Sequence, residues 1–150
     1  MKHSHFGIIA IGLAFLLGAV PLKAAADDAP YVNPAVNGPE APVYWVDLGG
    51  LYATYGAFPA AIKAYEKALT LDPSSSTIHF DLAIAHAELG QMDQALDLAN
   101  KAITLDPQEG RYYYARAWIL LKSGRQAEAM QDFSKAAELG NQDAMAYLNH

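Results

Sequence analysis

The sequence contains no cysteine. That excludes a disulfide framework, a thiolate zinc site and a lipid-modified cysteine, so stability has to come from packing alone. Basic residues are scarce, 10 Lys and Arg against 16 Asp and Glu, for a net charge of −6. A nucleic-acid binder needs a basic face to neutralise phosphates, and this composition does not supply one. Long apolar runs are also missing. The apolar stretch Phe6 to Val20 is 15 residues without a charge, short of the ~18 or more that cross a bilayer. No nucleophile elbow, phosphate-binding loop or zinc motif is present. Scattered carboxylates make no acid–base pair without a pocket, so the chain is read as non-catalytic, with no cofactor and no metal.

What is present is a core-forming composition. Hydrophobic residues are 53% and charged residues 17%, too little charge for a disordered polyampholyte. Lys2, the apolar run, Pro21 and then Ala24-Ala25-Ala26 before Asp27-Asp28 follow the order of a signal peptide. Residues 1–26 are expected to be cleaved after Ala26, giving a periplasmic or secreted protein with no stable membrane insertion. The alternative is an uncleaved anchor. Residues 27–41 hold Pro30, Pro34 and Pro39 with Asn33, Asn37 and Gly38. Prolines at that density favour extended backbone, and a disordered linker is expected there.

From residue 42 the chain repeats. Gly56, Gly90 and Gly124 stand 34 apart, as do Ala61, Ala95 and Ala129, and Ala68, Ala102 and Ala136. Leu71, Leu105, Leu139 and Lys67, Lys101, Lys135 keep the same register. Each glycine between two helical patterns provides a turn, and each alanine lets two helices approach closely. Pro73 and Pro107 stop one helix before the next begins. Apolar spacing between the stops is helical, as in Leu48, Leu51, Tyr52 and Tyr55. Each unit is a helix–turn–helix pair that buries its faces only by stacking on its neighbours.

The first unit reads Trp45-x-x-Leu48-Gly49-x-x-Tyr52, then Ala61, Tyr65, Ala68 and Pro73. It resembles the tetratricopeptide repeat. The resemblance covers 42–75, 76–109 and 110–143 and implies an all-α solenoid of three helical hairpins. The later units depart from it. His79, His86 and Ala99 stand where the first unit has Trp45, Tyr52 and Tyr65; Arg116 replaces leucine and Asn141 replaces proline. Looser packing is expected in the second and third units. Asn141 is expected to cap a short closing helix up to residue 150, with 144–150 as its body. So short a cap leaves self-association through that end open.

In this family the first helix of each hairpin lines the concave face. The resemblance therefore implies a groove built from Asp47 and Thr54, then Phe80, Asp81, Ile84 and Glu88, then Arg111, Tyr114, Trp118 and Lys122. Large aromatics there can anchor a peptide, although Trp118 can instead pack on the neighbouring hairpin. Asp47, Asp81 and Glu88 lie towards one end, and Arg111 and Lys122 towards the other. Such a face suits a ligand with a basic end and an acidic or polar end, or is simply a solvated surface. Some relatives clamp a terminal carboxylate with basic groove residues. The matching positions here hold Val46, Gly50, Asp81, Arg111 and Ala115, and only Arg111 fits. In the Tyr112-Tyr113-Tyr114 run, Tyr113 is expected in the core. His79 and His86, seven apart on one helix, are read as core histidines rather than a metal pair.

The function expected is an exported adaptor that binds a protein or peptide on its concave face. The alternatives are a structural subunit of an envelope assembly, stacking through its repeat ends, and a metal carrier or small enzyme using His79 and His86.

Overall fold

The computed structural model describes residues 38–149; the expected signal peptide and residues 27–37 of the expected linker lie outside them. The described part is helical from Pro42 onward. Helices α1 (Pro42–Thr54), α2 (Phe58–Leu71), α3 (Ser76–Glu88), α4 (Met92–Leu105), α5 (Gly110–Lys122) and α6 (Gln126–Glu138) form three consecutive hairpins, and α7 (Gln142–Leu148) follows. Each helix packs on the next, and α1, α3 and α5 also touch in sequence. The fold is the expected all-α solenoid of three hairpins with a short closing helix. None of the described helices is long and apolar enough to cross a membrane.

The turns follow from the glycines. Gly56, Gly90 and Gly124 have φ of 72°, 76° and 77°, a conformation that costs glycine nothing. After Gly56 the chain closes with Gly56 N–H donating to Ala53 O and Ala57 N–H to Tyr52 O, the paired bonds that satisfy the last carbonyls of a helix. The same pair of bonds recurs at Gly90 and Gly124, and at a fourth glycine, Gly140, which ends α6. That explains the missing proline at position 141: glycine stops this helix instead. Asn141 then caps α7 as expected, accepting from the Ala144 amide at 2.8 Å. Ser75 caps α3 and Glu109 caps α5.

Residues 38–41, the end of the expected disordered linker, form a hydrogen-bonded turn. Ala41 N–H donates to Gly38 O, and the Trp45 indole N–H donates to Pro39 O at 2.8 Å.

The alanine columns form the spine of the solenoid. Ala61, Ala95, Ala129, Ala68, Ala102 and Ala136 are all fully buried. A larger side chain there would push paired helices apart. In the first hairpin Gly49 plays a similar part. A Cβ on it would sit 2.5 Å from Tyr65 Cε1, so the tyrosine ring fits only because residue 49 has no side chain.

Two expectations are corrected. The later hairpins are not the looser ones. The largest buried cluster joins the second and third hairpins to Ala144 of α7, with Phe133 fully enclosed; α1 buries only Leu48 and Gly49. In the tyrosine run, the fully buried ring is Tyr112 rather than Tyr113. Tyr112 lies in the seam between repeats against Ala102 and Ile103, its hydroxyl 3.1 Å from Ser76 Oγ. It occupies the column of Ile78, one place before the column of Trp45.

Candidate functional site

The inner face of α3 and α5 carries the groove. Phe80, Ile84 and Glu88 on α3 recur at helical spacing, so they share one face. Arg111, Tyr114, Trp118 and Lys122 do the same on α5. Between the two helices is an open cavity of about 300 Å³, lined by these residues with Ala87, Ala115 and Ile119. Asn141 and Asp143, at the start of α7, close one end of it. The walls are mainly apolar with charges at the rim, the usual make-up of a peptide-anchoring site.

The aromatics divide between packing and exposure. Trp118 stands edge-on to Phe133 at 5.6 Å and to Tyr147 at 5.5 Å, while Tyr147 stacks on Phe133 at 4.1 Å. Tyr114 joins the group 5.7 Å from Phe133. Trp118 is thus fixed from behind by α6 and α7, yet 39% of its surface remains open. Trp118 therefore packs on its neighbours with its open part beside the cavity. A ring held by its neighbours loses little entropy when something lands on its free face.

The charges are largely matched. Glu88 and Lys122 occupy the same column of adjacent repeats and pair across the groove at 3.7 Å. Arg111 pairs with Glu109 at 3.4 Å, and its guanidinium lies 5.3 Å from the ring centres of both Phe80 and Tyr112. Asp81 differs. It lies one turn before Ile84 on the same inner face, half-buried, with no hydrogen bond or ion pair among the described residues. Burial pushes its carboxyl up to about 6, against the opposing pull of Arg111. Burial, with the charge of Asp81 added, raises the Tyr65 hydroxyl to about 12.

Asp47 and Thr54 are not brought to this cavity. Both are exposed on α1, where Thr54 donates to its own helix at Gly50 O. Ala87 and Ile119 line the cavity without having been pointed to by the repeat pattern, and so do Asn141 and Asp143. The position of the last two depends on how α7 folds back over the third hairpin.

The histidines are structural. His79 is buried and its Nδ1–H donates to Ser75 O at 2.9 Å. His86 Nδ1 donates to Gln91 Oε1 at 2.6 Å across the hairpin turn. Among the described residues no three His, Cys, Asp or Glu side chains converge as a metal site would require.

Two other hollows lie elsewhere on the described residues. One of about 490 Å³ is lined by Gly124 and Arg125 of the turn and by the first residues of α6. The other, about 260 Å³, is polar and surrounds Arg116. Arg116 grips Asp132 with two bonds of 2.7 Å and donates to Asn100 Oδ1 at 2.6 Å. These hydrogen bonds to Asp132 raise the guanidinium above its ordinary value. The repeat explains the pair. Positions 116 and 132 correspond to Leu82 and Leu98 one unit earlier, so an apolar contact has been exchanged for an ionic one.

The sequence matches three profiles described as tetratricopeptide repeat, over residues 22–76, 52–119 and 110–143. No curated protein matches it. Solved structures with a similar fold include the first such domain of Spaghetti (RPAP3) bound to the HSP90 peptide SRMEEVD. It is 23% identical with a TM-score of 0.68, over 74% of this chain and 90% of that one. The TPR2B domain of yeast Sti1 in its pHsp70 complex is 26% identical with a TM-score of 0.67, over 72% of this chain and 90% of that one. The Yersinia enterocolitica type III secretion chaperone SycD, in complex with a peptide of the translocator YopD, is 25% identical with a TM-score of 0.63, over 70% and 81%. The glycine turns, the alanine spine, the stacked hairpins and these matches agree, and the chain belongs to the tetratricopeptide-repeat proteins.

Proposed function

We propose that this protein is an exported, non-catalytic adaptor that holds an extended segment of a partner protein in the groove between α3 and α5. The observation behind this reading is the cavity beside Trp118, where a rigidly supported aromatic surface is left open between two charged rims. Burying such a surface stabilises a complex by about 25 cal/mol per Å² of apolar area before ordering costs. The Sti1 and SycD structures, each described in complex with a partner or peptide, support the same use of the fold. The export part rests on residues 1–26 alone, and it makes the partner a periplasmic or secreted protein. Stacking through the repeat ends has less behind it, because α7 already covers the third hairpin with Ala144 fully buried.

A photo-reactive amino acid in place of Trp118, used in the native compartment with mass spectrometry of the adducts, tests this reading. One distinct partner is expected, and its capture should vanish on Ile84→Glu, which places a charge on the groove wall. Capture that persists in that variant, or capture only of a second copy of this chain, would overturn the groove.

A further inference from the structure

We propose that the groove selects a cationic peptide, seating a bulky apolar side chain among Phe80, Tyr114 and Trp118 and a nearby lysine or arginine at Asp81. This rests on the groove as the binding site and adds the chemistry of its occupant.

The first argument is which charges are already satisfied. Both cations that reach the cavity have partners in the free protein, Arg111 with Glu109 and Lys122 with Glu88. Arg111 is further held over Phe80 and Tyr112. Asp81 has no donor among the described residues, and Asp143 at the closed end has no ion pair. An acidic peptide or a terminal carboxylate entering here would find both cations already paired and, in Asp143 of the lining and Asp81 just outside it on α3, two carboxylates without an ion pair. A cationic one would be matched by those carboxylates. The net charge of −6 adds attraction at longer range.

The second argument is desolvation. Asp81 is half-buried and has lost part of its water without gaining a donor, and the charge of Arg111 offsets only part of that loss. An arriving ammonium or guanidinium returns those hydrogen bonds in charge-assisted form. Tyr65 cannot supply them in this geometry; it is near enough for Asp81 to raise its hydroxyl, yet no hydrogen bond joins the two.

The third argument is spacing. Asp81 precedes Ile84, which lines the same cavity as Tyr114 and Trp118, by about one turn, roughly 5 Å along the helix. That matches one or two residues of an extended peptide at ~3.3 Å each. The basic residue should therefore stand one or two positions from the apolar anchor.

Selection of a random decapeptide phage library on the whole chain, read by sequencing, tests this, with Asp81→Asn, Asp81→Lys and Trp118→Ala selected in parallel. Lysine or arginine one or two positions from an aromatic or aliphatic residue should be enriched. Asp81→Asn, which preserves shape, should remove the basic preference and keep the apolar one, weakening a peptide chosen on the parent about tenfold. Asp81→Lys should turn the preference towards acidic residues. Acidic or C-terminal-carboxylate sequences on the parent, abolished by Trp118→Ala, would overturn the cationic inference and leave the groove standing. A selection unchanged by Trp118→Ala, or no enrichment at all, would overturn the groove and this inference together.

Discussion

The first and third hairpins share one 34-residue frame and fill it differently. In the first, α1 buries Leu48 and Gly49, and Tyr65 is accommodated by the missing side chain at residue 49. In the third, Phe133 and Tyr112 are enclosed, and an arginine–aspartate pair stands where the second hairpin has two leucines. The first hairpin carries the family pattern more faithfully, and the third is the better buried. A repeat buries its faces against its neighbours, and the third has one on each side, the second hairpin and α7. Among the described residues the first hairpin has a neighbour on one side only. Agreement with a repeat pattern therefore tracks the fit within a hairpin and says little about how deeply that hairpin is covered.

The comparison is most strongly tested at Arg116. Arg116→Ala leaves Asp132 buried without a partner, and a loss of about 3 kcal/mol is expected in urea unfolding. Arg116→Leu together with Asp132→Leu rebuilds the apolar pair of the second hairpin and should come within about 1 kcal/mol of the parent or exceed it. A double variant as unstable as the single one would mean that the pair is not a substitute for the leucines.

Gly49→Ala should break the first hairpin by a different route. The added methyl meets the Tyr65 ring at 2.5 Å, and overpacking of this kind costs about 2 kcal/mol. The melting temperature should fall, and Tyr65→Leu in the same chain should recover part of the loss. The same added volume at Gly56 meets nothing within 4 Å, so Gly56→Ala should suffer only from its left-handed backbone, on the order of 1 kcal/mol.

The smallest effect is expected at Asp81, between the two regions. Its folded carboxyl lies at about 6 and its ordinary value is 3.8. A raised acid binds its proton more tightly in the folded state, so its contribution favours folding at low pH and is lost as pH rises from about 4 through 6. Asp81→Asn should therefore stabilise the free protein at pH 7.5 by on the order of 1 kcal/mol, a figure reduced for the part of the group still in water. The gain should fade between pH 6 and pH 4. A gain independent of pH in thermal melts would show that the carboxyl titrates normally.

Much of this molecule is legible in its residues. The 34-residue spacing, the glycine turns and the alanine columns are local or periodic features, and each has a single geometric solution. Hairpin number and the closing helix capped by Asn141 follow from them. Most of the residues of α3 and α5 that line the cavity were pointed to only by the family resemblance, which also named Asp47, Thr54 and Asp81 outside it. The Arg116–Asp132 pair also left a trace: two positions depart from the repeat together with opposite charges. Other features depended on neighbours distant in the chain. Which tyrosine of 112–114 is buried, how Trp118 divides itself between packing and exposure, and the arrival of Asp143 at the groove were decided by the stacking of one unit on the next. Periodicity fixes the direction a side chain takes from its helix, but only the packed solenoid determines what it meets there.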